Sequence, residues 1–346
     1  MPKQPKEKTV TVGGEALMEG IMMRGPEGAA VSLRCADGTI ETKLKQVKSP
    51  ADHCKILGWP LIRGPVNLVY SMAFGYKCMM ESAEKATEGM LDEGESQSKI
   101  DKWIDAHFGP KMMAVISAIG IVLGVALALG LFVLLPTLAY DGIVRLAGPI
   151  GWRAVIEGAI RVILFVAYMF VVSLQKDIRR VFMYHGAEHK AIYCHEAGLP
   201  LTVENVRAQS RLHPRCGTSF LFVVILLSIL VSAILSALFP ALWLSEIIWL
   251  RVGARFLVLP LLMALGYEFI RFAGKHLRNP LVRALSFPGL SMQRITTKEP
   301  DDKIIEVGVV ALKAALGLPY EEEKEPEDDN KPSDENSPGE PAPSED

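Results

Sequence analysis

Residues 184–190 read YHGAEHK. His185 and His189 lie about one helical turn apart, and Glu188 immediately precedes the second histidine. On a helix both rings reach a single ion, and H-x-x-E-H is the inverted form of the zincin motif, in which two histidines hold zinc while the glutamate polarises the bound water. A string this short gains force from a third ligand. RLHPRCGTSF offers His213 and Cys216, spaced H-x-x-C directly before a long apolar run, and the expected topology returns Glu268 of YEFIRF to the same depth. A closed set of His185, His189, His213 and Cys216 makes a structural site, whereas three ligands plus water leave a catalytic position open. Glu188 favours the second arrangement, because a saturated site has no use for a general base. The competing reading of YHGAEHK is a polar helix end beneath a membrane.

The flanking sequence positions these side chains. From 178 to 196 the chain has a helical rhythm, with Ile178, Val181, Phe182, His185, His189, Ile192 and Tyr193 on one stripe. The histidines thus face inward, where an imidazole needs a hydrogen bond or a metal. Further candidates for contact with a substrate or support of the ligands are Glu19 and Arg24, which with Glu15 belong to GGEALMEGIMMRGP, and Gln293 and Arg294 of FPGLSMQRITTKEP. The first segment reads as a flap or an anion-binding element, or equally as turn glycines with a salt bridge. The second reads equally as a loop ordered by hydrogen bonds. Cys194 and His195 extend the cluster or lie on the helix surface, and His53, His107 and His276 read as structural.

Half of the 346 residues are hydrophobic and the mean hydropathy is positive, which points to an integral membrane protein, mainly α. The net charge of −2 hides an asymmetry: residues 321–346 hold twelve acidic residues against two lysines, so the remainder is basic. No nucleic-acid partner is needed to explain this. Five scattered cysteines suggest no disulfide framework and a reducing compartment. MPKQPKEKTV lacks the apolar core of a signal peptide, so the N-terminus is expected in the cytoplasm.

Four stretches are long and apolar enough to cross a bilayer, at 112–139, 154–175, 218–239 and 253–272. In the second, Arg153, Glu157 and Arg161 share one helix face and can neutralise one another. WLSEIIWL reads as an interfacial helix anchored by Trp243 and Trp249. Lysines and arginines concentrate between spans two and three and after span four, which places both termini and the HGAEH patch in the cytoplasm. The organisation is then a cytoplasmic glycine-rich segment and β-hairpin at 1–50, an interfacial or re-entrant helix at 51–80 and an acidic linker at 81–110. A membrane domain of about four helices follows at 111–272, with the metal-site segment 176–217 on its cytoplasmic side. A cytoplasmic loop and amphipathic helix at 273–318 precede a disordered acidic tail at 319–346. The hairpin is centred on ADG, and the last helix carries Ile305, Val309, Leu312 and Leu316 on one face.

Four motifs, GGEALMEGIMMRGP, YHGAEHKAIYCHE, HPRCGTSFL and MQRITTKEP, resemble in order those of the YqhQ-like family of bacterial membrane proteins. This is a domain of unknown function often described as a predicted metal-dependent enzyme. The resemblance covers about residues 11–315 and implies a bacterial inner-membrane location with a metal site at His185, Glu188, His189 and His213.

These readings converge on a membrane-embedded zinc-dependent hydrolase at the cytoplasmic face of the lipid bilayer. His185, His189 and His213 are the expected ligands, Cys216 or Glu268 a further ligand, and Glu188 the catalytic base. A membrane-associated peptide or a lipid-linked amide or ester suits the location. The alternatives are a non-enzymatic adaptor with a structural metal, its acidic tail or hairpin recruiting a partner, and a transporter using the Arg153, Glu157, Arg161 ladder.

Overall fold

A computed structural model describes residues 10, 12–47, 54–92, 110–148, 152–214, 216–276 and 279–320. The acidic tail from 321, His53, His107 and residues 93–109 of the acidic linker lie outside them. The described chain is mainly helical, with one small antiparallel sheet.

The sheet is a four-strand meander of β1 (Gly13–Leu17), β2 (Gly20–Gly25), β3 (Gly28–Arg34) and β4 (Ile40–Lys45). The hairpin expected around ADG is β3–β4, where Asp37 accepts hydrogen bonds from the Thr39 amide and hydroxyl at 2.8 Å and Gly38 takes φ 92°. The segment before it, read as a flap or an anion-binding element or equally as turn glycines with a salt bridge, forms the β1–β2 hairpin, and Glu19 in its turn pairs with Arg180. Strand alternation gives the sheet two apolar faces. Ile21, Met23 and Ala30 point to one side, and Leu17, Met22, Ala29 and Val31 to the other.

Each face is covered by helices. α1 (Arg63–Asp92) packs Cys78 and Phe74 against the second face. It is one continuous helix where the sequence suggested a short interfacial helix followed by a linker. Pro65 falls in its first turn, where a missing N–H costs nothing. Gly64 lets it approach Ala264 and Tyr267, and Gly75 leaves room for the Glu15 carboxylate.

The four long apolar helices follow. The first is interrupted: α2 (Pro110–Leu129) passes through a π-helical turn, Gly130–Leu134, into α3 (Leu135–Ala147). α4 (Arg153–Val172) leads almost directly into α5 (Lys176–Glu196), the helix that carries the HGAEH motif. After the one-turn α6 (Val203–Arg207) come α7 (Gly217–Leu238), the four-residue α8 (Pro240–Trp243) and α9 (Ile248–Lys275). Among the described residues, four helices are thus long and apolar enough to cross a membrane. Trp243 and Trp249 do not share an interfacial helix. Trp243 ends α8 and Trp249 lies in the first turn of α9, with residues 244–247 non-helical between them.

The stretch read as a loop after the fourth span is α10 (Pro280–Thr296), capped by the Asn279 side chain on the Leu281 amide at 2.9 Å. α11 (Asp302–Ala315) is capped by Asp301, which accepts from the Ile304 amide at 2.9 Å. It is less amphipathic than expected. Ile304, Val307, Val310 and Ala311 are buried together with Ile305, Val309 and Leu312, since the helix sits between α5, α6 and the first face of the sheet.

Candidate metal centre

The candidate ligand side chains meet where α5 passes the loop before α7. Close approach of the 296–300 segment makes this possible. A Cβ at Gly186 would fall inside the Lys298 carbonyl oxygen, and the Lys298 amide donates to the Phe182 carbonyl at 2.8 Å. The same segment brings the Thr296 carbonyl to 2.9 Å from His185 Nδ1. On the next turn, the Arg211 carbonyl lies 2.6 Å from His189 Nδ1. A carbonyl only accepts, so both Nδ1 atoms carry protons and both Nε2 lone pairs are free to ligate.

These Nε2 atoms converge. His185 Nε2 is 3.2 Å from Cys216 Sγ, and the two rings lie 4.4 Å apart. One donor atom from each of His185, His189 and Cys216 fits within 4.8 Å of the others. His189 is 1% exposed and its Nε2 has no hydrogen-bond partner, a costly state for a buried polar atom. Burial holds its pKa below the ordinary imidazole value, against the pull of Cys216, so the ring stays neutral. Two neutral imidazoles tethered through Nδ1 and one thiol that ionises on binding form a donor set suited to zinc or a similar borderline cation.

His213 stands beside this group, 5.7 Å ring to ring from His189 and 4.6 Å from Tyr193. Gln293, fully buried, accepts from the His213 amide at 2.7 Å and donates to its carbonyl at 2.7 Å. Burial lowers the His213 pKa to about 4. Its Nε2 faces Glu196 at 3.4 Å.

Glu188 points from α5 into a cavity of about 990 Å³ that His185, His189, His213 and Cys216 also line. Only 5% exposed, its carboxyl is pushed above the ordinary range by burial, with His185, His213 and the Gly14 amide pulling the other way. Gly14 is required here: a Cβ would stand 2.8 Å from Glu188 Cγ. Across the cavity Glu15 is also raised by burial, Arg24 opposing and Glu188 adding to the shift. Arg24 donates to Ser71 Oγ at 3.1 Å and lies over the Phe74 ring. The remaining wall comes from α1, the start of α7 and the end of α9, including Leu68, Met72, Leu221, Tyr267, Ile270 and Arg271.

Three sequence candidates fall elsewhere. Glu268 is taken by Arg63 in a bidentate ion pair, both bonds 2.7 Å, that ties α9 to α1. Glu19 pairs with Arg180 and accepts from Tyr184 Oη at 3.1 Å, pinning a turn where Glu19 takes φ 49°. Arg294 is exposed on α10 and is not part of the cavity lining. Conversely, the Thr296 and Arg211 carbonyls and the Gly14 amide, all backbone groups, support the site without a side-chain signature.

A profile of the family described as "Protein of unknown function (DUF1385)" matches residues 59–318. The uncharacterized protein YqhQ of Bacillus subtilis (strain 168) is 33% identical over 311 residues, covering 88% of this chain and 92% of that relative. No solved structure matches. On the profile and the relative together, the chain belongs to the YqhQ-like family of proteins of unknown function, DUF1385.

Proposed function

We propose that this protein is a zinc-dependent hydrolase of the bacterial inner membrane, with both termini and the HGAEH centre on the cytoplasmic side. The observation that carries the reading is the convergence of His185, His189 and Cys216, with a partnerless His189 Nε2, beside a cavity into which Glu188 projects. Three protein ligands leave a position for water and substrate. A zinc ion bound there supplies electrophilic activation of water and of the substrate carbonyl. Glu188 accepts the proton of the attacking water and returns it to the leaving group, a task helped by burial that raises its basicity. His213, neutral and adjacent, offers a ring N–H as a donor to the developing oxyanion. Arg24 and Arg271 line the cavity and orient a polar substrate end, while Leu68, Met72 and Leu221 take its apolar part.

The cavity adjoins the ends of α7 and α9, two of the four apolar helices. An amphiphilic amide or ester, either a membrane-associated peptide or a lipid-linked compound, fits this wall chemistry. Metal content by mass spectrometry on the detergent-purified protein tests the reading, together with hydrolysis of a library of acylated and peptidyl amides. About one zinc per chain in wild type and Glu188→Gln, absent in His185→Ala/His189→Ala, with turnover lost in Glu188→Gln, supports it. A folded wild type that takes up no zinc refutes the metal. A zinc-loaded Glu188→Gln protein with undiminished turnover refutes Glu188 as the base.

A further inference from the structure

The other end of the helical bundle carries a separate cluster of charges. Arg153 bonds Asp141 at 2.6 Å and Glu157 at 2.8 Å, Arg251 bonds the same Asp141 at 2.6 and 3.2 Å, and Arg255 bonds Glu157 and Thr137. Arg161 donates to neutral acceptors instead, the Ser228 hydroxyl and the Phe132 carbonyl, both at 2.8 Å. Phe132 lies in the π-helical turn, and such turns release carbonyls from the helix ladder and recur at functional sites. Among the described residues of this network, four guanidinium groups share two carboxylates. Arg161 stands eight residues, about 12 Å, into α4. Excess positive charge inside a low-dielectric bundle is costly unless an anion joins it.

A cavity of about 160 Å³ lies against Arg161 and Arg255, with Ser228 and Ser232 on its wall. Trp243 lines it too. This residue is 5% exposed, and its Nε1–H has no hydrogen-bond partner. The volume holds about five waters at roughly 30 Å³ each, room enough for a tetrahedral oxyanion. The two guanidiniums, already bonded to Ser228, Phe132, Thr137 and Glu157, bring positive charge to this cavity, and the indole N–H of Trp243 adds a buried donor that has no acceptor. We infer that this cavity binds a phosphate group, either as a free ion or as the head group of a lipid. The site is distinct from the metal centre and stands whether or not zinc binds there.

The test uses full-length, detergent-purified protein stripped of metal with chelator, so that phosphate cannot act through zinc. Thermal stability is titrated with sodium phosphate at constant ionic strength, and native mass spectrometry detects retained phospholipid. Wild type is compared with Trp243→Phe, which keeps the ring and removes only the N–H, and with Arg161→Gln. A saturable stabilisation by phosphate, at least about tenfold weaker in Trp243→Phe, supports the site with a free ion as its ligand. Retained anionic phospholipid, depleted in Trp243→Phe, supports it with a lipid as the source. Absence of both in wild type, or neither one diminished in Trp243→Phe, overturns the inference. Should Arg161→Gln fail to fold, Trp243→Phe decides alone.

Discussion

Gly186→Ala offers a test of how the centre is assembled, because it touches no ligand. The added Cβ overlaps the Lys298 carbonyl oxygen, with Lys298 C at 3.3 Å and Pro300 Cδ at 3.4 Å behind it. Backbone on both sides prevents escape by a rotamer change, so the 296–300 segment must move outward by about an ångström. Overpacking of this kind costs roughly 1–3 kcal/mol. The displacement also stretches the 2.9 Å bond from His185 Nδ1 to the Thr296 carbonyl, two residues away, at a further cost of about 1 kcal/mol. The total is roughly 2–4 kcal/mol, read as a lower midpoint in denaturation of the detergent-solubilised protein. Zinc affinity, measured by competition with a chromophoric chelator, falls about 10- to 100-fold because the imidazole loses its tether. Unchanged stability would refute the packing argument. Lowered stability with wild-type zinc affinity would refute the role of the Thr296 carbonyl.

Gln293→Leu strands the buried amide and carbonyl of His213, so unfolding should become easier by roughly 2–4 kcal/mol in the same denaturation assay. Cys216→Ser substitutes a poor zinc ligand and is expected to weaken zinc binding at least about tenfold while leaving the helical circular dichroism intact. Glu268→Gln should leave metal content unchanged and shift stability by less than about 1 kcal/mol, since the pair with Arg63 is partly exposed; loss of metal in this variant would return Glu268 to the ligand set.

Much of this arrangement was legible because periodicity and hydropathy report directly on burial. The four apolar helices followed from residue spacing alone, and the ADG hairpin from its turn residues. The stripe expected to face inward on α5 is only partly buried: His189 and Ile192 are buried, Ile178, Val181, Phe182, His185 and Tyr193 half-buried, and Tyr184, Ala187, Ala191 and Cys194 enter the core beside them. α1 was obscured because Gly64, Pro65 and Gly75 look like helix breakers, although each serves a contact or a first turn. The β1–β2 hairpin was obscured because methionine and glycine carry little strand signal. At the centre, sequence nominated His213 as the third ligand and Cys216 or Glu268 as a further one. Tertiary structure brings Cys216 within reach of both histidines and clamps His213 through its backbone. The carbonyls of Thr296 and Arg211 were invisible in principle, because every residue has one.

The order in which the pieces of the sheet unit emerge during synthesis has its own consequence. Arg34 on β3 and Glu306 on α11 join at 2.6 Å across 272 residues of chain. At bacterial or slower elongation rates of about 5–20 residues per second, roughly 15–55 s separate their appearance. Until residues 176–196 emerge, the face carrying Ile21, Met23 and Ala30 has no cover from α5, and α11 arrives only at the end of the interval. The nascent sheet is therefore a sticky surface held open while four apolar helices are made, a vulnerability that favours either a holding chaperone or transient burial against lipid. Slowing translation between residues 48 and 300 should accordingly increase aggregation of this protein, and it should do so without altering the stability of molecules that have already folded.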